Sequence, residues 1–265
     1  MNAGGPHCYC TKPHRNVRHK DVTMKRIINF SGGKSSALMT ILEYNQETDC
    51  VVFCDTGREH PKTYKFIADF EAFEGIPVVK LGGANAYDEY LAKRDFEEIP
   101  NMMKRSCTVA LKVEVARRWA RANVGMTYAN LIGFRADEPQ RVAKNRKRWQ
   151  KVEQVFPLYD RGITRANVNQ YWLTKPYTLE IPHILGNCTL CFMKGQNAIL
   201  NILRHDPALA VPWIEDERKS ALKSGHTYLN GIRIEQLLKI AQMPDLFSDI
   251  PLEEINPAFD CACTS

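Results

Sequence analysis

The chain of 265 residues contains no run of eighteen apolar residues and no charged-then-apolar leader behind Met1. Those absences predict neither a membrane span nor secretion, and so a cytoplasmic location. There is no internal repeat and no low-complexity tract, which leaves one large domain or one domain with an appended module. Charge of one sign does not dominate: charged residues make up 25% of the chain and the net charge is +6, the balance of an ordinary globular protein. Glycines 32 and 33 fit neither the four-residue gap of the Walker loop nor Gly-x-Gly-x-x-Gly, so the commonest phosphate-binding fingerprints are excluded as well. Without a secretory signal, the nine cysteines point to metal binding, redox chemistry or burial rather than a disulfide framework.

What is present is an alternation of strand-length apolar runs with longer amphipathic stretches. Strands are predicted at 26–30, 50–54, 76–81 and 128–133, with helices near 35–46 and 60–74 and further helices before the fourth strand. This pattern predicts the α/β class, a Rossmann-like parallel sheet flanked by helices. From about residue 164 helical patterns dominate, broken at Pro207, Pro212, Pro244 and Pro251, which predicts a helical C-terminal part.

Between the first strand and the first helix lies Ser31-Gly32-Gly33-Lys34-Ser35-Ser36. Two glycines there let backbone N–H groups approach an anion, the helix N-terminus adds its positive dipole, and Lys34 with the serine hydroxyls supplies further donors. Gly-Gly-Lys also punctuates ordinary turns, so these six residues alone do not separate a phosphate site from a turn. The second strand ends in Asp55-Thr56-Gly57, and in an open α/β sheet that turn faces the same crevice as the Ser31 loop.

The Ser31–Ser36 segment resembles the pyrophosphate loop of the adenine-nucleotide alpha-hydrolase-like (PP-loop) superfamily. Asp55-Thr56-Gly57 with Pro61 and Thr63 resembles the Asp-Thr-Gly-x-x-x-Pro-x-Thr signature of the phosphoadenosine phosphosulfate (PAPS) reductase family. Leu131-Ile132-Gly133-Phe134-Arg135 with Glu138 and Arg141 is similar to that family's strand ending in Gly-x-Arg and followed by a second arginine. Pro157-Leu158 with Val168, Tyr171 and Trp172 is similar to its later segment. The resemblance spans about residues 26–217 and implies an adenine nucleotide, ATP or a sulfonucleotide (PAPS or its relative lacking the 3′-phosphate), held by residues 31–36, Asp55, Thr56, Gly57, Gly133, Arg135 and Arg141. It also frames a division into a poorly ordered arm over 1–24, a PP-loop nucleotide-binding α/β domain over 25–163, and a helical region over 164–265. The crowded cations Arg141, Lys144, Arg146, Lys147 and Arg148 are then either a solvated loop or a patch for a sulfonucleotide or a nucleic-acid backbone.

Spacing sorts the cysteines. Cys50 and Cys54 lie in a strand-like run and read as small buried hydrophobes, while Cys188-Thr189-Leu190-Cys191 sits where two thiolates hold a metal, or form a redox pair. Cys107 starts a stretch with Val109, Val113, Ala116 and Ala120 at helical spacing, which predicts an amphipathic helix whose N-terminal dipole lowers a thiol's pKa. The segment resembles the cysteine pair that, with a distant Cys-x-x-Cys, holds a four-iron four-sulfur (4Fe-4S) cluster in the iron-sulfur branch of the family. One cysteine of the pair is missing, so the resemblance supplies Cys107, Cys188 and Cys191 and leaves the fourth ligand open, with zinc as the competing metal. Cys261 and Cys263 close the chain; one reading makes Cys261 or Cys263 the fourth ligand, another makes one of them the nucleophile. Cys8 and Cys10, beside His7 and His14, read as reduced thiols on the arm.

Two enzyme classes follow from the resemblance. One is a sulfonucleotide reductase in which a tail thiolate attacks sulfur and a thiol reductant such as thioredoxin releases sulfite. The other is an ATP-dependent sulfurtransferase that adenylates its substrate and delivers sulfur to a nucleic acid or a small molecule. A metal-stabilised nucleotide-binding module without enzymatic activity is the third possibility.

Overall fold

The computed structural model describes residues 24–146, 152–182 and 185–243. Cys8, Cys10, Lys147, Arg148, Cys261 and Cys263 lie outside the described residues.

Five strands form one sheet in the order β3-β2-β1-β4-β5: β1 (Arg26–Asn29), β2 (Asp49–Asp55), β3 (Val78–Gly82), β4 (Tyr128–Leu131) and β5 (Val152–Val155). Every pairing is parallel. Parallel pairs need helical crossovers, and the resulting helices cover both faces. This is why the central strands carry apolar residues on both sides: Ile27 and Ile28 of β1 are both buried, as are Val51, Val52 and Phe53 of β2. The helices are α1 (Lys34–Glu43), α2 (Pro61–Glu74), α3 (Ala86–Ala92), α4 (Ser106–Thr108), α5 (Glu114–Asn123), α6 (Pro139–Asn145), α7 (Pro157–Asp160), α8 (Arg165–Trp172), α9 (Gln196–His205), α10 (Val211–Ala221) and α11 (Ile234–Ala241).

One face of the sheet packs Ile28, Phe30 and Phe53 against Phe66, Ile67 and Phe70 of α2 and Trp172 of α8. The other packs Ile27, Val52 and Tyr128 against Trp119 and Ala120 of α5. A second large core lies among α3, the 106–113 segment and α9 to α11, built on Leu91, Leu111, Phe192, Ile199, Trp213 and Tyr228. Arg58, almost wholly buried, ties the loop after β2 to this second core. Its guanidinium meets Asp88 at 2.5 Å and Asp216 at 2.9 Å and lies over the rings of Tyr87 and Trp213.

Three details depart from the sequence reading. β5 is a short edge strand, Val-Glu-Gln-Val, without an apolar run to announce it; a ladder of side-chain amides, Asn29 to Asn130 at 2.7 Å and Asn130 to Gln154 at 2.8 Å, accompanies its pairing. The helix expected from Cys107 is interrupted by a π-helical turn over Val109–Val113. That wider turn breaks the 3.6-residue period, so Val109 and Val113 are 54% and 45% exposed while Leu111 and Ala120 are the buried residues. Cys50 and Cys54 are half-buried beside the Ile27–Val52 cluster rather than enclosed in it.

Candidate active site

Strand order reverses between β1 and β4, since β2 and β3 lie to one side of β1 and β4 and β5 to the other. At such a switch point the loops leaving the two strands diverge and open a crevice. The Ser31–Ser36 loop leaves β1 and the Gly133–Arg135 segment leaves β4, so both motifs meet at this point. Gly133 is required by proximity: a Cβ there would stand 3.1 Å from Ser36 Cα and 3.3 Å from Ser36 N.

Gly33 is the N-cap of α1 and makes no side-chain cap. The first N–H groups of a helix have no intrahelical acceptor, so those of Lys34, Ser35 and Ser36 are donors suited to an anion. Ser36 Oγ instead braces the loop from within, accepting from Ser31 N at 3.1 Å and donating to Gly33 O at 2.9 Å. Gly32 turns the chain at φ +75°, where a Cβ would strike Thr63 Cγ2 at 2.6 Å. The Lys34 ammonium is half-buried, and desolvation lowers its pKa below the ordinary lysine value. Arg135 Nη1 donates to Ser35 Oγ at 3.2 Å while its Nε meets Asp137 at 3.0 Å. Arg141 is held further out, paired with Glu138 and lying 4.1 Å over the Phe134 ring. Arg135 therefore borders the Ser31–Ser36 loop directly, whereas Arg141 braces the turn behind it.

Asp55, Thr56 and Gly57 close the other side of the crevice. Asp55 Oδ1 accepts from Gly57 N and from the Tyr64 hydroxyl, both at 2.8 Å. Thr56 looks the other way, donating to Glu59 Oε1 at 3.1 Å and lining a second cavity.

That cavity, about 30 Å3 in volume, is lined by Thr56, Tyr87, Arg105, Cys107, Thr108, Lys112, Cys188, Cys191 and Phe192. Three cysteines spread over more than eighty positions thus share one wall. The π-helical turn contributes, because Cys107 and Lys112 are five residues apart and would face about 140° apart on a regular α-helix. Lys112 Nζ lies 3.3 Å from the fully buried Glu59 carboxylate, and Cys188 Sγ donates to Glu59 Oε2 at 3.7 Å. Burial pushes the Cys107 thiol up, partly offset by the Lys112 charge. The Cys-x-x-Cys turn is closed underneath by the buried Lys194, whose ammonium donates to the carbonyls of Cys188 and Thr189.

Glu59, Tyr87, Arg105 and Asn187 have no motif of their own in the sequence, and Lys112 has one only as the lysine of the helix that follows Cys107. Glu59 and Lys112 carry a faint signal, each being a charge set among residues of a motif; Asn187 carries none. Yet Asn187 links the Ser31 loop to the segment after β2: its Nδ2 donates to Ser31 O at 2.7 Å, and its own carbonyl accepts from His60 N at 2.7 Å. Among the described residues no three His, Cys, Asp or Glu side chains converge as a single-ion site, and Cys261 and Cys263 lie outside those residues.

A parallel sheet with a glycine-rich, lysine-bearing anion loop at its switch point defines a nucleotide-binding α/β protein. The sequence model of the phosphoadenosine phosphosulfate reductase domain matches residues 25–179, more than half of the chain, so the protein belongs to that family and to the PP-loop superfamily that contains it. The chain is 28% identical over 231 residues to the uncharacterized nin region protein ORF290 of Escherichia phage lambda, covering 77% of this chain and 78% of that one. It is 30% identical over 115 residues to an uncharacterized protein of Methanocaldococcus jannaschii, covering 42% of this chain and 23% of the relative. Among solved structures, a phosphoadenylyl-sulfate (PAPS) reductase from Candida auris in a phosphate complex aligns with 19% identity and a TM-score of 0.38, over 59% of this chain and 76% of that one. No helix among the described residues is long and apolar enough to cross a membrane.

Proposed function

We propose that the protein is a PAPS reductase-like, iron-sulfur-dependent enzyme that binds an adenine nucleotide at the Ser31 loop and performs sulfur chemistry beside the cysteine cavity. The observation that carries this reading is adjacency. Thr56 belongs to the Asp55–Gly57 turn at the end of β2 and also lines the three-cysteine cavity, which supports placing the sulfur chemistry next to a nucleotide bound at the neighbouring β1 loop.

The donor set suits a thiolate-ligated cluster in chemistry and charge. Cys107, Cys188 and Cys191 face one space, and Arg105 and Lys112 on its wall offset the negative charge that thiolates bring. Zinc, which three or four thiolates also suit, is the competing metal. If bound by these three thiolates, a 4Fe-4S cluster would supply an iron with one coordination position left for a fourth ligand or a sulfur species.

In the reductase reading the helix N–H groups, Lys34 and the loop hydroxyls hold the phosphate chain, and Arg135 offers its planar fork to the terminal oxyanion. A tail thiolate, Cys261 or Cys263, forms an S–S bond to the sulfate sulfur as the S–O bond to the phosphate breaks and the nucleotide leaves. A dithiol reductant of the thioredoxin class then gives two electrons, releasing sulfite and restoring the thiol. The ATP-dependent sulfurtransferase, acting on a nucleic acid or small molecule, is the second reading. It is favoured by the three-thiol wall and by the basic run beginning at Arg141.

Anaerobic purification with iron and sulfide analysis, followed by calorimetric titration with ATP and both sulfonucleotides, tests the reading. Expected are a brown chromophore that single serine replacements of Cys107, Cys188 or Cys191 bleach, and binding of at least one nucleotide. One tightly bound zinc with no iron or acid-labile sulfide overturns the cluster.

A further inference from the structure

We infer that Asn187 is a positioning residue that makes the cysteine cavity respond to the nucleotide, an inference that rests on nucleotide binding at the Ser31 loop. Residues 187–189 lie as a short strap antiparallel to residues 58–60. Asn187 O accepts from His60 N at 2.7 Å, Thr189 N donates to Arg58 O at 3.1 Å, and Glu59 pairs with Cys188 in an isolated bridge. Besides the Lys194 bonds beneath it, the strap has an anchor on the Ser31 loop. The Asn187 amide donates to Ser31 O at 2.7 Å and lies over Gly33, where a Cβ would stand 3.6 Å from its Oδ1. The side chain is 7% exposed, so water does not compete for this bond.

The consequence follows from the chain's stiffness. A phosphate drawn onto the N–H groups of residues 32–36 fixes the peptide planes of that loop, and with them the Ser31 carbonyl. The Asn187 amide follows the carbonyl it is bonded to, and Cys188 is the next residue. Cys188 in turn faces Glu59, which holds Lys112 and Thr56. The Ser31 loop is therefore connected to the cysteine cavity through the Asn187 amide, and this path runs along consecutive hydrogen bonds rather than through loose packing. Direct contact between nucleotide and cysteine is not needed for the response.

Hydrogen exchange read by mass spectrometry separates the two claims in the full chain as purified anaerobically. With saturating ATP, or with PAPS where calorimetry shows that to be the tighter ligand, the 31–36 peptide should become protected. The 187–192 peptide should slow by at least about fivefold, the lower end of ordinary site-to-site coupling. In Asn187→Asp, which keeps the shape but replaces the donor by an acceptor, protection at 31–36 should persist while that at 187–192 disappears. Asn187→Ala should behave the same way and serves if the aspartate variant does not fold. Asn187→Gln, which retains a donor on a longer arm, should restore part of the response. Protection of 187–192 that survives both Asn187→Asp and Asn187→Ala would show simple occlusion by the ligand and overturn the inference. So would a wild-type protein protected at 31–36 alone. No protection at 31–36 with any nucleotide would instead overturn the proposed binding site, and the coupling with it.

Discussion

Replacing Gly57 by alanine should damage both halves of the site at once, and the structure gives the size of the effect. Gly57 has φ +78°, and a Cβ there would lie 2.2 Å from Ala84 O, 2.7 Å from Ala84 C and 2.9 Å from Gly83 O. All three atoms are main chain, so no rotamer change relieves the clash and the 55–57 turn must part from residues 83–84. That separation strains Gly83 N to Asp55 O at 3.3 Å and Tyr87 N to Thr56 O at 3.0 Å. Gly75 provides the control: it caps α2 at φ +66°, and a Cβ added there would meet nothing within 4 Å. Both alanines incur about 1–2 kcal/mol for the left-handed backbone, offset by about 0.4–1 kcal/mol from the stiffer unfolded chain. Gly57→Ala alone adds the overpacking cost of about 1–3 kcal/mol. Urea unfolding monitored by circular dichroism should therefore place Gly57→Ala below Gly75→Ala by that last amount. Nucleotide affinity should fall in Gly57→Ala and stay unchanged in Gly75→Ala. Equal destabilisation of the two variants within about 0.5 kcal/mol, at ordinary mutational precision, would refute the steric argument.

Lys34→Ala should weaken nucleotide binding by about 1.5–3 kcal/mol, the range for a hydrogen bond to a charged group, as read by calorimetry on protein whose circular dichroism is unchanged. Because burial lowers the Lys34 pKa, the ammonium is lost at a lower pH than that of an ordinary lysine. Wild-type affinity should thus decline as pH rises through that depressed value, and Lys34→Ala should flatten the profile. Cys54, whose thiol burial raises to about 11, should be alkylated by iodoacetamide at about pH 8, near the ordinary thiol value, far more slowly in the folded protein than in urea; equal rates would contradict its placement. Deleting residues 260–265 should abolish turnover with iron content intact if a tail cysteine is the nucleophile, or lower iron content if Cys261 is a ligand. Full activity with an unchanged cluster spectrum would favour the open-iron transferase.

The sheet was legible because burial on both faces leaves continuous apolar runs, and Ile27-Ile28 and Val51-Val52-Phe53 are such runs. β5 was not, since an edge strand needs a partner on one side alone and Glu153 and Gln154 carry no apolar signal. The Ser31–Ser36 turn between β1 and α1 was legible because its glycine pair falls between an apolar strand run and a helical pattern. In contrast, the register of the 107–120 stretch failed because Val109 and Val113 were given the α-helical period across a π-helical turn. The Glu59–Lys112 and Asn187–Ser31 pairs could not be found by spacing, since their partners lie 53 and 156 positions apart and only the folded chain brings them together.

Arg58 has a consequence for how this protein can be divided. Its charge originates in a loop of the sheet and is neutralised in part by Asp216 on α10, so each core contains half of an ion pair whose other half belongs to its neighbour. Melting either core alone would strand a charge in an apolar interior, at about 3–5 kcal/mol for a broken buried pair. The two cores should therefore melt together, in a single calorimetric transition. A fragment ended after α8 would not yield a small working nucleotide binder. It would expose Tyr87 and leave the Arg58 guanidinium with Asp88 alone of its two carboxylate partners, and truncations meant to isolate the nucleotide site should keep α10 or replace Arg58 with an apolar residue.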